Sequence, residues 1–193
     1  MPRRKIPFER PEGKKEARLI IIAAEGRKTE RIYFEALAQE YQSTGVHVEI
    51  IDRQTNSSDP EKVLQALDDF ATMYDLDESD ELWIIIDRDF RSWTEKNLSD
   101  VARQCTQKPG FYLGLSNPAF EIWLLIHIKD IADYSQTDRE RFFENKKETR
   151  NRTALKKELS DLLPKGFNES HYDAAYLIKN VQKAIQRARI MDK

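Results

Sequence analysis

The sequence predicts an α/β fold with a mainly parallel central sheet flanked by helices and a helical C-terminal extension. Three observations carry that prediction. Uncharged, β-branched runs at 19–24 and 82–86 have the pattern of strands buried on both faces. These runs alternate with stretches of helical periodicity, the order that builds parallel β-α-β units. After Asn117-Pro118, apolar residues recur almost only at helical spacing.

Taken in order, residues 17–24 (ARLIIIAA) form the first strand and run into Glu25-Gly26. From Lys28, the positions Tyr33, Ala36, Leu37 and Tyr41 recur on one helical face, and Gly45 ends that helix. Residues 46–51 are a second short strand. A second helix begins with Ser58 and Glu61 as a capping box and Pro60 in its first turn; its stripe is Val63, Ala66, Leu67, Phe70, Ala71 and Tyr74. Residues 81–86 (ELWIII) form a third strand that enters Asp87-Arg88-Asp89. Ser92 and Glu95 offer another capping box, before a face of Leu98, Val101, Ala102 and Cys105. A Pro109-Gly110 turn leads to a fourth strand over 111–115. Helices are expected over 120–127, 154–163 and 172–190. Residues 133–152 are too charged for a definite assignment.

The 193 residues suit one large domain, and 10% aromatic content with 39% hydrophobic residues excludes a disordered chain. No apolar run approaches the roughly 20 residues of a membrane span, and the basic N-terminus lacks a signal-like apolar stretch, so a cytoplasmic protein that does not enter the membrane is expected. The lone Cys105 can neither pair internally nor nucleate a zinc site, so any bound metal must be held by oxygen. The net charge of -2 conceals segments of opposite sign. Residues 1–18 carry seven Lys/Arg against three acids and 146–193 twelve against six, whereas 47–100 carry fifteen acids against five bases. Basic ends around an acidic centre suit a protein that grips a phosphate backbone and coordinates a divalent cation, although solvated helix faces have the same composition.

Three carboxylates, Glu25, Asp87 and Asp89, follow two of the buried strands, where ligands of parallel sheets bind. Clustered carboxylates repel unless a cation neutralises them, and residues two apart on an extended chain point the same way. Asp87 and Asp89 can therefore share Mg²⁺, which takes one or two carboxylates and keeps several waters. A lone D-x-D that caps the next helix is the plainer alternative.

The order of these acids, Glu in AAEGRKTE and D-x-D in IIIDRD, resembles the Toprim fold of topoisomerases, primases and OLD-type nucleases. Together with SNPAFEIWLLIH at 116–127, EGRKTE also resembles the RloB-like family, to which the AbiLii abortive-infection proteins belong. The resemblance implies a Toprim-type endonuclease dependent on Mg²⁺ (or Mn²⁺) that cleaves DNA or RNA, tRNA included, in phage defence. Its implied partners are nucleic acid and an AAA or ABC-like ATPase, and a homo-oligomer is compatible with it. It makes Glu25 a metal ligand or general acid/base and Asp87 and Asp89 the metal-binding pair, all three catalytic. Glu121 is a candidate for a further metal ligand. The domain plan is a basic tail over 1–16, a Toprim-like α/β domain over 17–128 and a helical part over 129–193 packed on it.

Arg27 and Lys28 precede the first helix, whose exposed N–H groups and positive dipole end favour a substrate phosphate. Each candidate has a plainer reading. Glu121 suits the first turn of a helix starting at Pro118, with Asn117 or Ser116 as cap. His127 suits a satisfied core position. Tyr33, Phe34, Trp83 and Trp123 suit the core, and Lys179, Lys183, Arg187 and Arg189 suit either a solvated face or a phosphate track. Two other functions compete with the nuclease. One is a catalytically inactive module that binds nucleic acid or an ATPase. The other is a phosphoacceptor receiver domain, which expects paired acids after the first strand where this chain has Glu25-Gly26.

Overall fold

The computed structural model describes residues 5–8, 18–26, 28–41, 45–51, 60–88 and 94–191. In chain order its elements are β1 (Ile6–Pro7), β2 (Arg18–Ala24), α1 (Thr29–Glu40), β3 (Val46–Ile51), α2 (Pro60–Met73), β4 (Tyr74–Asp75), β5 (Glu81–Asp87), α3 (Glu95–Thr106) and β6 (Phe111–Ser116). They continue with α4 (Glu121–Ile128), a 3₁₀ turn (Ile131–Asp133), α5 (Gln136–Glu144), β7 (Lys147–Thr149), β8 (Arg152–Thr153), α6 (Ala154–Leu162), α7 (Ala174–Ile178) and α8 (Val181–Met191). The chain divides into two compact units. One comprises Met1–Arg27, Ala38–Ile86 and Trp93–Leu115; the other comprises Lys28–Leu37, Asp87–Ser92 and Ser116–Lys193.

The first unit holds the central sheet, in the order β3-β2-β5-β6. β2 pairs in parallel with β3, from Arg18 opposite Val46 to Ala23 opposite Ile51, and with β5, from Ile20 opposite Glu81 to Ala24 opposite Ile85. Two bonds bracket the β5–β6 pair, Leu82 N–H to the Gly110 carbonyl at 2.8 Å and Arg88 N–H to the Ser116 carbonyl at 2.7 Å. Both strands advance in the same direction between them, so this pair is parallel too. The predicted mainly parallel α/β architecture is thus observed.

Period-two alternation puts Leu19, Ile21 and Ala23 of β2 and Leu82, Ile84 and Ile86 of β5 on one face. Val63, Leu64 and Leu67 of α2 and Leu98, Val101 and Cys105 of α3 close over them. Each buried Val, Leu or Ile among them contributes about 1.5–3 kcal/mol. At the start of the sheet, buried Asp80 accepts the Leu19 N–H at 2.8 Å and the Asp77 N–H at 2.9 Å, tying the loop before β5 to β2. Gly110 has φ +75 and Gly114 lies so close to β5 that a Cβ would stand 2.7 Å from Ile85 Cδ1.

The second unit is helical, with α4 at its centre packed against α6, α7 and α8. Phe120, Leu124 and Leu125 are buried there with Leu155, Leu159, Leu177 and Ala184.

Several local expectations are corrected. Residues 6–7, within the basic tail of the sequence reading, form β1, which pairs in parallel with β4; Phe8 then packs edge-on to Tyr74 at 5.3 Å. Thr94, not Ser92, caps α3, accepting the Asn97 N–H at 3.2 Å. Ser58 lies outside the described residues. The helix after Pro118 begins at Glu121 behind Phe120, with no side-chain cap from Asn117 or Ser116. The helix expected over 172–190 is broken at Lys179-Asn180 into α7 and α8. Asn disfavours helix interiors because its amide competes for the backbone, and Asn180 instead offers its carbonyl to the Ala184 N–H at 3.0 Å at the new start.

Candidate functional site

Hydrogen-bonded strand pairing sets the backbone on which the candidate carboxylates stand. Glu25 directly follows β2, half-buried, with its N–H donating to the Ile85 carbonyl of β5 at 2.8 Å. Asp87 ends β5, also half-buried, with Oδ1 withdrawn from solvent. A carboxylate therefore follows the carboxyl end of each of two neighbouring parallel strands. Asp89 and Arg27 lie outside the described residues.

Lys28 is exposed, and its carbonyl accepts the Ile32 N–H at 3.0 Å, which makes it the residue that opens α1. It belongs to the end of the helix where free N–H groups and the dipole favour an anion. The first turn already holds an acid, the buried Glu30, which the same dipole stabilises and which would compete with a phosphate there.

Glu121 sits apart from these in character. It is 6% exposed, in the first turn of α4, 3.7 Å from the Lys156 ammonium. Lys156 also pairs with Glu169, so one cation serves two carboxylates. Burial pushes the Glu121 carboxyl above its usual range, opposed by the Lys156 charge. Burial works against the Lys156 ammonium, but Glu121 and Glu169 together hold its pKa above the ordinary value. Sequence reasoning passed over Lys156, because nothing local links it to a residue 35 positions earlier. The buried Glu30 and Tyr172 were missed as well. Burial and the neighbouring Glu30, Tyr33 and Glu121 raise the pKa of Tyr172, whose hydroxyl donates to the Thr29 carbonyl at 2.7 Å.

The aromatic and basic candidates have structural surroundings. His127 is buried between two partners, its Nδ1 2.8 Å from the Trp123 carbonyl and its Nε2 3.0 Å from the Tyr33 hydroxyl. Tyr33 and Trp123 meet its ring edge-on, and Tyr33 in turn meets Phe34 and Phe120 edge-on. Trp83 stacks on Tyr112 at 4.9 Å on the sheet. Arg187 is engaged, donating to the Ile126 carbonyl at 2.6 Å and lying 3.8 Å from Asp130.

Glu25 and Asp87 each offer carboxylate oxygen, the donor type that hard divalent cations take. Among the described residues, no three His, Cys, Asp or Glu side chains are grouped so as to hold a metal ion. Asp89, the third member of the expected set, is not among them. No described helix is long and apolar enough to cross a membrane.

Compared with known proteins, the chain matches the family described as RloB-like protein over residues 20–193. It belongs to the RloB-like family. No curated protein and no solved structure matches it. The match begins inside β2 and runs through α8, so it takes in both compact units of this RloB-like protein and every candidate residue from Glu25 to Glu121.

Proposed function

We propose that this RloB-like protein is a Toprim-type, Mg²⁺-dependent endonuclease that cleaves DNA or RNA as the effector of an anti-phage abortive-infection system, beside an AAA or ABC-like ATPase. The observation that carries the reading is the pairing of β2 with β5 in parallel, with Glu25 following one strand and Asp87 ending the other. The nuclease class, the metal and the ATPase partner come from the resemblance of EGRKTE, IDRD and SNPAFEIWLL to the family's strings.

In this reading Glu25, Asp87 and Asp89 hold the cation. Bound Mg²⁺ supplies activation of a water and neutralises charge on the scissile phosphate. Lys28, with Arg27 beside it, binds the flanking phosphate at the start of α1 and orients the strand. Glu25 is also the group that can accept or return a proton. Glu121 enters as an extra ligand only where it exchanges the Lys156 ammonium for a metal ion.

The test incubates the protein, alone and with the ATPase plus ATP, with plasmid, single-stranded DNA and total tRNA in Mg²⁺ or Mn²⁺. Cleavage that disappears in EDTA, and that falls roughly a hundredfold or more in Asp87→Asn, is the expected result. Cleavage undiminished in Asp87→Asn and Asp89→Asn sinks the proposal. Binding of these nucleic acids without turnover, with the ATPase present, selects the inactive binding module instead.

A further inference from the structure

The segment too charged to assign from sequence folds into α5 and a short antiparallel hairpin, β7–β8, in which Lys147 opposes Thr153 and Thr149 opposes Arg152. Its base is fixed. Asn145 closes α5 in the left-handed conformation, its side-chain oxygen accepts the Leu155 N–H at 3.1 Å, and the Lys146 carbonyl accepts the Ala154 N–H at 3.0 Å.

The charges of this region are unevenly satisfied. Arg141 holds Glu148 and Glu158, each at 3.1 Å, and Lys157 also reaches Glu148 at 3.4 Å. Glu144 pairs with Lys146 at 2.9 Å. The nearby acids are thus engaged by other cations, whereas Lys147 and Arg150 are exposed and have no acidic partner among the described residues. The Arg152 guanidinium donates to the Ser160 hydroxyl at 2.8 Å and stays exposed.

We propose that the β7–β8 hairpin is a contact for the phosphate backbone of nucleic acid, with Lys147 and Arg150 as the side chains that touch it. Between them lie Thr149 and Glu148, the latter already paired with Arg141 and Lys157, beyond them lies Asn151, and residues 146–152 contain no apolar side chain. Phosphate contacts are made by this mixture of Arg, Lys, Thr and Asn, whereas protein interfaces centre on apolar and aromatic side chains and are poor in Lys. A hairpin already fixed at its base presents the two cations with little backbone ordering left to do. The ligand class rests on the nuclease reading above, which this inference deepens.

The experiment measures binding without turnover, by fluorescence anisotropy in EDTA, of labelled tRNA, a single-stranded DNA and a DNA duplex across a salt series. The protein is compared with Lys147→Gln/Arg150→Gln and with a charge-matched control, Lys62→Gln/Lys96→Gln. The hairpin variant is expected to bind about tenfold more weakly near 0.1 M salt and to lose roughly 1.5–2 units of the slope of log K against log salt. The control keeps the slope, and the hairpin variant melts with the unaltered protein. An unchanged slope in the hairpin variant overturns the proposal and turns attention to an acidic protein surface. Absence of binding by the unaltered protein to all three probes overturns it as well. Loss of cleavage in Asp87→Asn alongside unchanged hairpin binding would keep the nuclease reading and sink this one; hairpin-dependent binding without cleavage does the reverse.

Discussion

His127 has both ring nitrogens engaged: Nδ1–H donates to Trp123 and Nε2 accepts from the Tyr33 hydroxyl, which is the neutral ring. Burial, with the nearby Arg187 charge acting the same way, holds its pKa at about 4, below the usual 6.5. The unfolded chain therefore takes up the proton first as pH falls. The contribution of His127 is fully present above about pH 6.5, declines as pH falls toward about 4 and levels off below. The loss reaches at most about 3 kcal/mol. Urea unfolding across this range should show a steeper pH dependence in the unaltered protein than in His127→Gln; equal slopes would refute it. A second residue-scale prediction concerns Gly114. Because an added Cβ would meet Ile85 Cδ1 at 2.7 Å, Gly114→Ala should destabilise by about 1 kcal/mol. Val lacks that Cδ1, so in the Ile85→Val background the same change should be nearly neutral, read from a double-mutant cycle of unfolding midpoints.

At the scale of elements, one member of the basic face expected on the last helix is tied to its neighbours. Arg187 reaches from α8 to the carbonyl of Ile126 in α4 and to Asp130, a clasp between helices. Arg187→Ala should lower stability by about 1–3 kcal/mol while leaving nucleic-acid affinity unaltered; a loss of affinity at constant stability would restore the phosphate-track role. The strands at 18–24 and 81–87 were legible because their apolar runs exceed what a turn tolerates. β1, β4 and the hairpin were not, being two or three residues long and mostly exposed, so that no burial pattern is written into them. α5 escaped for a related reason, since Phe142 is its only buried residue. Of the candidate site, Glu25 and Asp87 could be placed from strand ends alone. The pairing of Glu121 with Lys156 could not, because it depends on how α4 meets α6, and tertiary contact leaves no local trace.

At the scale of the whole molecule, one compact unit joins residues 28–37 and 87–92 to 116–193, and within it helices from both sides of residue 128 pack together. α4 lies before that point and the helices that cover it lie after. A chain ended at residue 128 should leave Leu124 and Leu125 uncovered and lose cooperative melting of this unit, observable as a broadened or absent transition and increased dye binding to apolar surface. A sharp, unchanged transition would show that α4 folds without α6 and α8.

The bond from the Tyr172 hydroxyl to the Thr29 carbonyl joins residues 143 apart. On a ribosome adding about 5–20 residues per second, Thr29 is made roughly 7–30 s before its partner. For most of that interval Tyr33 and Phe34 lack the aromatic partners that follow residue 119. The order of synthesis thus leaves these two rings uncovered until the chain has passed residue 120.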